Sequence, residues 1–170
     1  MLIPLLFALA YPACLCWAAK SDIQSMTIPN RLNIGLALAF IPVALLVGLS
    51  WEGFAIHVGL GLAGLVLGMV LFAFRLMGGG DAKLIAAAGL WLGLDGFVAL
   101  LIYTALAGGV LTLGLISARK LYGHYAGVLP ANLSRHLDEK GDIPYGVAIC
   151  AGGLFAIPHS DLLPLLLNLA

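Results

Sequence analysis

Long apolar stretches, separated by short polar segments, run along the whole chain. Six stretches contain no Asp, Glu, Lys or Arg, and they cover residues 1–19, 32–51, 53–74, 84–94, 96–118 and 143–160. Because a membrane-spanning helix needs about 20 mainly apolar residues, five of them are long enough to cross a bilayer. The stretch 84–94 predicts either a short helix from about Asp81 to Phe97, roughly 25 Å long at 1.5 Å per residue, or a re-entrant segment. The pattern therefore predicts an all-α protein with about six transmembrane helices.

The composition also indicates an integral membrane protein. Hydrophobic residues make up 62% of the 170 residues and charged residues 9%, whereas soluble domains carry about 25% charged residues. The mean hydropathy is +1.10. So few charges cannot cover a surface that faces water, and we expect one polytopic domain over residues 1–170, in contact with the lipid bilayer. The formal net charge of zero argues against a nucleic-acid partner.

The positive charges predict the orientation in the membrane. All eight Lys and Arg residues fall in three groups, which are Lys20 and Arg31, then Arg75 and Lys83, then Arg119, Lys120, Arg135 and Lys140. With six spans, these groups lie in the first, third and fifth loops. The positive-inside rule then places those loops, including the hydrophilic loop 119–142, in the cytoplasm and both termini outside. Because the stretch 1–19 has no basic n-region and is instead followed by Lys20, we expect an uncleaved first helix rather than a signal peptide.

Two aspartates lie at the ends of predicted spans on this cytoplasmic face. Asp22 follows the first span, and Asp81 precedes the fourth. Ionisable groups at a bilayer boundary are costly and suggest a function. If helix packing brings the two carboxylates together, they share a proton, so that one activates water and the other donates to a peptide carbonyl. The pair therefore raises the possibility of an aspartyl protease.

Three glycines precede Asp81, and they have two interpretations. Gly78, Gly79 and Gly80 have no side chains that would keep a substrate backbone away from Asp81. Alternatively, they form only a flexible loop, with Asp81 as the N-cap of the next helix. Lys83 comes two residues after Asp81, so it would not share its helix face, and it could be a topology anchor.

Two proline-containing segments are predicted on the same face. Pro29 favours the start of a helix, and Asn30 could cap that helix. Pro144, Tyr145 and Gly146 open the last span. They could lie against the active site, or they could only begin a helix.

We expect neither a metal nor a cofactor. The three cysteines, Cys14, Cys16 and Cys150, form no CxxC pair. The four histidines fall in different segments without the spacing of metal ligands. We therefore expect the cysteines and histidines to pack against other residues rather than to bind a metal.

Three motifs, in order along the chain, resemble those of the prepilin peptidase family. The members of this family are membrane aspartyl proteases, and they include the archaeal preflagellin peptidases. The motifs are Ser21-Asp22-Ile23 followed by Ile28-Pro29-Asn30, then Gly78-Gly79-Gly80-Asp81-Ala82-Lys83-Leu84, which is similar to the GxGD motif, and finally Ile143-Pro144-Tyr145-Gly146. The resemblance covers about residues 3–158.

The resemblance implies that Asp22 and Asp81 are the catalytic residues of an aspartic-type endopeptidase in the inner membrane. It also implies a substrate class, the type IV prepilin-like precursors, whose short basic leader is cleaved at the cytoplasmic face just before an apolar helix. A role in substrate binding or in support of the active site follows for the other motif residues, which are Gly78, Gly80, Lys83, Pro29, Asn30, Pro144, Tyr145 and Gly146.

The chain departs from the larger family members. It has no counterpart of their N-terminal extension with paired CxxC motifs, so we expect no N-methyltransferase activity, and it is similar to the short form associated with tight-adherence (Flp-type) pili. Two other functions stay open. Asp22 and Asp81 could bind a cation or relay protons in a small transporter, or they could be caps in a non-enzymatic subunit of a membrane assembly.

Overall fold

The described part of the chain is entirely helical. A computed structural model describes residues 2–122 and 141–168, and no strand occurs within these ranges. The helices are α1 (Leu2–Ser25), α2 (Asn30–Leu46), α3 (Trp51–Ala73), α4 (Gly79–Tyr122), α5 (Tyr145–Ala156) and α6 (Leu162–Asn168), with a 3₁₀ turn at Ile157–His159. The predicted all-α fold is therefore confirmed. Most of the predicted loop 119–142 lies outside the described residues.

Gly93 divides α4 into two helical segments. Its backbone has φ 71° and ψ −174°, a conformation that L-residues with a side chain rarely adopt. The chain folds back at this point, since a Cβ on Gly89 would lie 3.0 Å from the ring of Phe97. The stretch 84–94 is thus helical up to a turn at Gly93, and the first segment, 79–92, is about 20 Å long at 1.5 Å per residue.

The turn at Gly93 is held from the C-terminal part of the chain. The backbone N–H of Asp161 donates to the carbonyl of Leu92 at 3.2 Å, and the hydroxyl of Ser160 donates to the carbonyl of Trp91 at 3.1 Å. A Cβ on Gly93 would collide with the carboxylate of Asp161. Only glycine therefore fits this turn.

We expect Gly93→Ala to destabilise the fold. This backbone conformation alone costs a residue with a Cβ roughly 1–3 kcal/mol, and the collision with Asp161 adds to that cost. Thermal unfolding in detergent would show a lowered midpoint. Gly109→Ala is the matched control, because a Cβ there meets nothing within 4 Å. Equal midpoints for the two variants would contradict the assignment of Gly93 as an obligatory turn residue.

The helices pack in antiparallel neighbours through small residues. A Cβ on Gly68 of α3 would lie 2.6 Å from Ala82 of α4, and one on Gly61 would lie 2.7 Å from Leu90. Close backbone approach at small residues is typical of helix packing in membranes. Since the contacts run from 68 with 82 to 61 with 90, α3 and the first segment of α4 run in opposite directions.

Helix α5 packs in the same way between α1 and the second segment of α4. A Cβ on Gly153 would lie 2.6 Å from Leu15 of α1, and one on Gly152 would collide with Thr104 of α4. At the other end of α5, Gly146 contacts Asp22. The C-terminal end of α1 and the N-terminal ends of α2, α4 and α5 therefore meet at one end of the bundle.

An aromatic centre holds the bundle together. The Trp91 ring lies 5.7 Å from Tyr11 and 6.4 Å from Phe40 between ring centroids, and its indole N–H donates to the carbonyl of Leu36 at 2.9 Å. Because Trp91 is in the first segment of α4, this segment is the shared packing partner of α1 and α2.

By length and composition, two helical stretches of the described residues could cross a membrane, Trp51–Ala73 and Gly79–Lys120, and the second of them is divided at Gly93. Large apolar side chains such as Leu45, Leu113 and Val110 are exposed. An outward-facing apolar surface of this extent is typical of a protein that contacts lipid. The count of six spans and the position of the termini stay predictions.

Candidate active site

The structure brings the two predicted carboxylates together. Asp22 lies in the last turns of α1 and Asp81 in the first turn of α4, and their side chains are only 5% and 6% exposed. Both line two adjoining cavities of about 570 Å³ and 220 Å³. Asp22 is close enough to act electrostatically on Asp81. Two residues 59 positions apart in sequence thus form one buried acidic pair.

Asp22 is held from α5. The backbone N–H of Gly146, in the first turn of α5, donates to Oδ2 of Asp22 at 2.7 Å. A Cβ on Gly146 would lie 2.9 Å from the Cβ of Asp22 and 3.0 Å from its Oδ2. Residue 146 can donate at this distance without a clash because it is glycine. The structure therefore places the third sequence motif directly against the first.

Asp81 is held by its own helix terminus. It is the third residue of α4, and its Oδ2 accepts the backbone N–H of Gly78 at 3.0 Å. This contact is half of a capping box, in which a side chain of the first turn reaches back to the residue before the helix. The expectation that Asp81 is the N-cap is wrong by three positions, because the helix begins at Gly79. The other oxygen, Oδ1, is buried and has no hydrogen-bond partner within the described ranges.

The glycine loop packs tightly on the connection between α1 and α2. A Cβ on Gly80 would lie 3.1 Å from the Cβ of Ile28 and 3.3 Å from its backbone nitrogen. Gly78, Gly79 and Gly80 all line the smaller cavity. The interpretation of these glycines as a flexible loop does not account for this packing, and the approach of a substrate backbone to Asp81 stays a prediction.

Asn33 is a site residue that sequence reasoning missed. Its side chain, 4% exposed, donates from Nδ2 to the carbonyl of Gly80 at 3.1 Å. Its Oδ1 is buried and has no hydrogen-bond partner in the described part of the chain. The available signal was a polar residue at the second position of the apolar stretch 32–51, three positions after Asn30. Asn33 ties α2 to the first turn of α4, which carries Asp81.

If the acidic pair is catalytic, Asn33→Leu is expected to lower its activity about 10-fold or more, because the first turn of α4 loses its hydrogen bond to α2, and small displacements of reacting groups are costly. The midpoint of thermal unfolding should change little, since the substitution also removes an unsatisfied oxygen that costs about 1–3 kcal/mol. Asn168→Leu, the same change at an exposed position of α6, is the control. A fall in stability that matches the fall in activity would show that Asn33 has only a structural role.

The outer edge of the candidate site contains Pro29, Asn30 and Lys83. Pro29 is exposed and is the N-cap residue of α2, with φ −60° and ψ 134° and no capping bond from its side chain. Asn30 does not cap α2, contrary to expectation; it is the first residue of the helix, and its Oδ1 accepts from Nζ of Lys83 at 2.8 Å. Asn30 lines the smaller cavity, whereas Pro29 and Lys83 do not.

Tyr145 lies at the wall of the larger cavity, whereas Pro144 lines neither cavity. Pro144 is buried and precedes the first residue of α5, with φ −74°. Tyr145 lines the larger cavity together with Asp142, Arg75 and Met26. The last proline-containing segment therefore lies against the acidic pair through Tyr145 and Gly146, as well as beginning a helix.

Comparison with known proteins identifies a protein family that this chain matches. A family model described as the type IV leader peptidase family matches residues 9–113, a range that includes both aspartates. The chain is 30% identical over 146 residues to a prepilin leader peptidase/N-methyltransferase of Aeromonas hydrophila, covering 82% of this chain and 44% of that protein. It is also 30% identical over 160 residues to a protein of the same name from Bacillus subtilis, covering 91% of this chain and 56% of the relative.

The chain thus spans about half the length of the curated relatives it matches. No solved structure gives a significant match. The segment Ile143–Gly146 lies beyond the range that the family model matches, so its place in the site comes from the contact between Gly146 and Asp22.

Proposed function

The chain belongs to the type IV leader peptidase family, and from this premise we propose that it is a membrane aspartyl endopeptidase that removes the leader from type IV prepilin-like precursors. The observation that carries the proposal is the buried pair, Asp22 and Asp81, at the wall of one cavity. Such a pair supplies the two proton-transfer groups that hydrolysis of a peptide bond requires.

The chemistry follows from two like charges in apolar surroundings. Because two adjacent carboxylates do not readily both ionise, the pair holds one proton. The ionised member takes a proton from water while the water oxygen attacks the peptide carbonyl carbon. The protonated member donates to the carbonyl oxygen, and the amine leaves with a proton when the tetrahedral intermediate collapses. The proton belongs to the pair as a unit, so neither aspartate is assigned as the acid.

The surroundings of the pair support this chemistry. Gly146 and Gly78 donate one backbone N–H each, to Oδ2 of Asp22 and Oδ2 of Asp81. These bonds fix both side chains, and Oδ1 of Asp81 has no partner among the described residues. The larger cavity, about 570 Å³, offers room for a stretch of peptide beside the carboxylates.

The proposed topology has six spans in the inner membrane, both termini outside and the acidic pair at the cytoplasmic face. Two observations support it. Helix α3 and the first segment of α4 run in opposite directions, as do α1 and α5, with α4 divided at Gly93. All Lys and Arg residues fall in three of the predicted loops. The leader of a precursor would then be cleaved in the cytoplasm.

The transporter alternative has no observation in its favour. It predicts carboxylates near the middle of the membrane, whereas Asp22 and Asp81 lie at the ends of α1 and α4. The N-methyltransferase activity in the names of the relatives is not part of the proposal.

A cleavage assay tests the proposal. The purified protein in proteoliposomes is expected to convert a type IV prepilin-like precursor into a shorter product, seen as a mass loss equal to the leader. Empty vesicles are the control. If the folded protein leaves the precursor intact, the proposed activity is wrong.

A further inference from the structure

An apolar groove lies between α2 and α3. Only residues 47–50 join these helices, yet both pack mainly on α4 and contact each other little. The groove has a volume of about 420 Å³. Its walls come from α2 and α3, and its floor comes from the first segment of α4, at Ala86, Ala87 and Leu90.

The groove adjoins the active site. Asn30 lines both the groove and the smaller cavity that contains Asp22 and Asp81. Asn33, also in the groove, donates to the carbonyl of Gly80, which lines that cavity. A polypeptide lying in the groove would therefore end next to the cavity of the carboxylates.

The groove has one feature that lipid does not satisfy. Asn33 is nine-tenths buried, and its Oδ1 has no hydrogen-bond partner within the described residues. This oxygen is itself covered, so it becomes available to a ligand only when the Asn33 side chain turns into the groove, and an acyl chain has no donor for it. The first turn of a helix has backbone N–H groups without acceptors inside the helix, and in an apolar environment these groups must find acceptors. The small residues Ala37 and Ala86 of the groove, both partly exposed, also let a helix backbone approach closely.

We propose that this groove binds the first turns of the apolar helix that follows the leader in the precursor. The inference rests on the proposed function and deepens it. The start of that helix lies beside Asn33, so the peptide bond just before it lies at Asn30, the residue that the groove shares with the cavity of the acidic pair. The groove thus selects precursors by their apolar segment, separately from the bond that is cut.

Filling the groove tests the proposal. Ala37→Phe places a ring in the groove. The control, Ala107→Phe, places the same ring in a second apolar groove of about 420 Å³, between α4 and α5. This second groove shares no lining residue with the two cavities that contain the acidic pair. Two substrates are compared, a full-length precursor and a short peptide that spans the cleavage site without the apolar helix. We expect Ala37→Phe to lower kcat/KM for the precursor at least 10-fold, mainly through KM, with peptide cleavage within twofold of wild type, and Ala107→Phe to change neither.

Each other result overturns the inference. Unchanged precursor cleavage by Ala37→Phe would mean that the groove holds only lipid, and an equal loss with both substrates would mean a disturbed active site. Failure of the wild-type protein to cleave any precursor is a separate result, because it overturns the proposed function first.

Photocrosslinking gives a measurement that does not depend on how Ala37→Phe folds. A photoreactive residue at Leu62, an exposed position in the groove wall, should link to the first apolar turns of the precursor, whereas one at Leu113, exposed on α4 outside the groove, should not. Links from Leu113 and none from Leu62 would overturn the inference.

Discussion

Replacing either aspartate by asparagine, as Asp22→Asn or Asp81→Asn, should reduce precursor cleavage by at least about 10²–10⁴-fold, the usual contribution of one general acid or base. An amide can neither take a proton from water nor donate one to a leaving amine. Each variant leaves one carboxylate without its partner, so the loss should be of the same order for both. Initial rates of leader removal in proteoliposomes measure this effect.

Asparagine is chosen because it keeps the shape of the side chain. Its carbonyl oxygen can still accept the N–H of Gly146 at residue 22 or of Gly78 at residue 81, so the thermal midpoint should stay close to that of the wild type. Asp95→Asn is the matched control, because Asp95 is exposed near the turn at Gly93, at the far end of the bundle. Rates within a few-fold of wild type for Asp22→Asn or Asp81→Asn would rule out the acidic pair.

The second large effect is expected from Gly146→Ala. The added methyl would lie 2.9 Å from the Cβ of Asp22 and 3.0 Å from its Oδ2, so either the carboxylate or the start of α5 must move. Overpacking of this kind costs roughly 1–3 kcal/mol of stability. A shift of about 1 Å in a catalytic group costs about 10²-fold in rate, so activity should fall more than stability.

Comparison of unfolding midpoints and cleavage rates separates the two effects of Gly146→Ala. Gly59→Ala is the control, since a Cβ at position 59 meets nothing within 4 Å. A Gly146→Ala protein that is stable and as active as the Gly59→Ala protein would mean that the N–H of Gly146 does not position Asp22.

Much of the helical architecture was predictable from the apolar stretches, because their boundaries depend on local composition. The exception is the short stretch 84–94, which left a helix and a re-entrant segment equally open. The structure shows a helix that turns at Gly93. That turn depends on Asp161 and Ser160, 68 and 67 residues later in the sequence, and no local pattern could reveal it.

The acidic pair was predictable for a different reason. The alternation of apolar stretches placed Asp22 and Asp81 on the same predicted face, and the family motifs pointed to the same residues. What supports the pair was less accessible. Asn33 has no motif to identify it, and its role depends on the approach of α2 to Gly80. The partner of Asn30 also needed the fold, because Lys83 lies 53 residues away.

The central claim is that residues 22 and 81 meet in one site, and crosslinking tests it most directly. Asp22→Cys and Asp81→Cys are combined in a chain whose three native cysteines are replaced by serine, with a protease site inserted in the loop 47–50. A short flexible bis-thiol reagent is expected to keep the two proteolytic fragments joined on a denaturing gel, while the pair Asp22→Cys with Asp95→Cys should separate. Efficient linking of residues 22 and 95, with none between 22 and 81, would contradict the account.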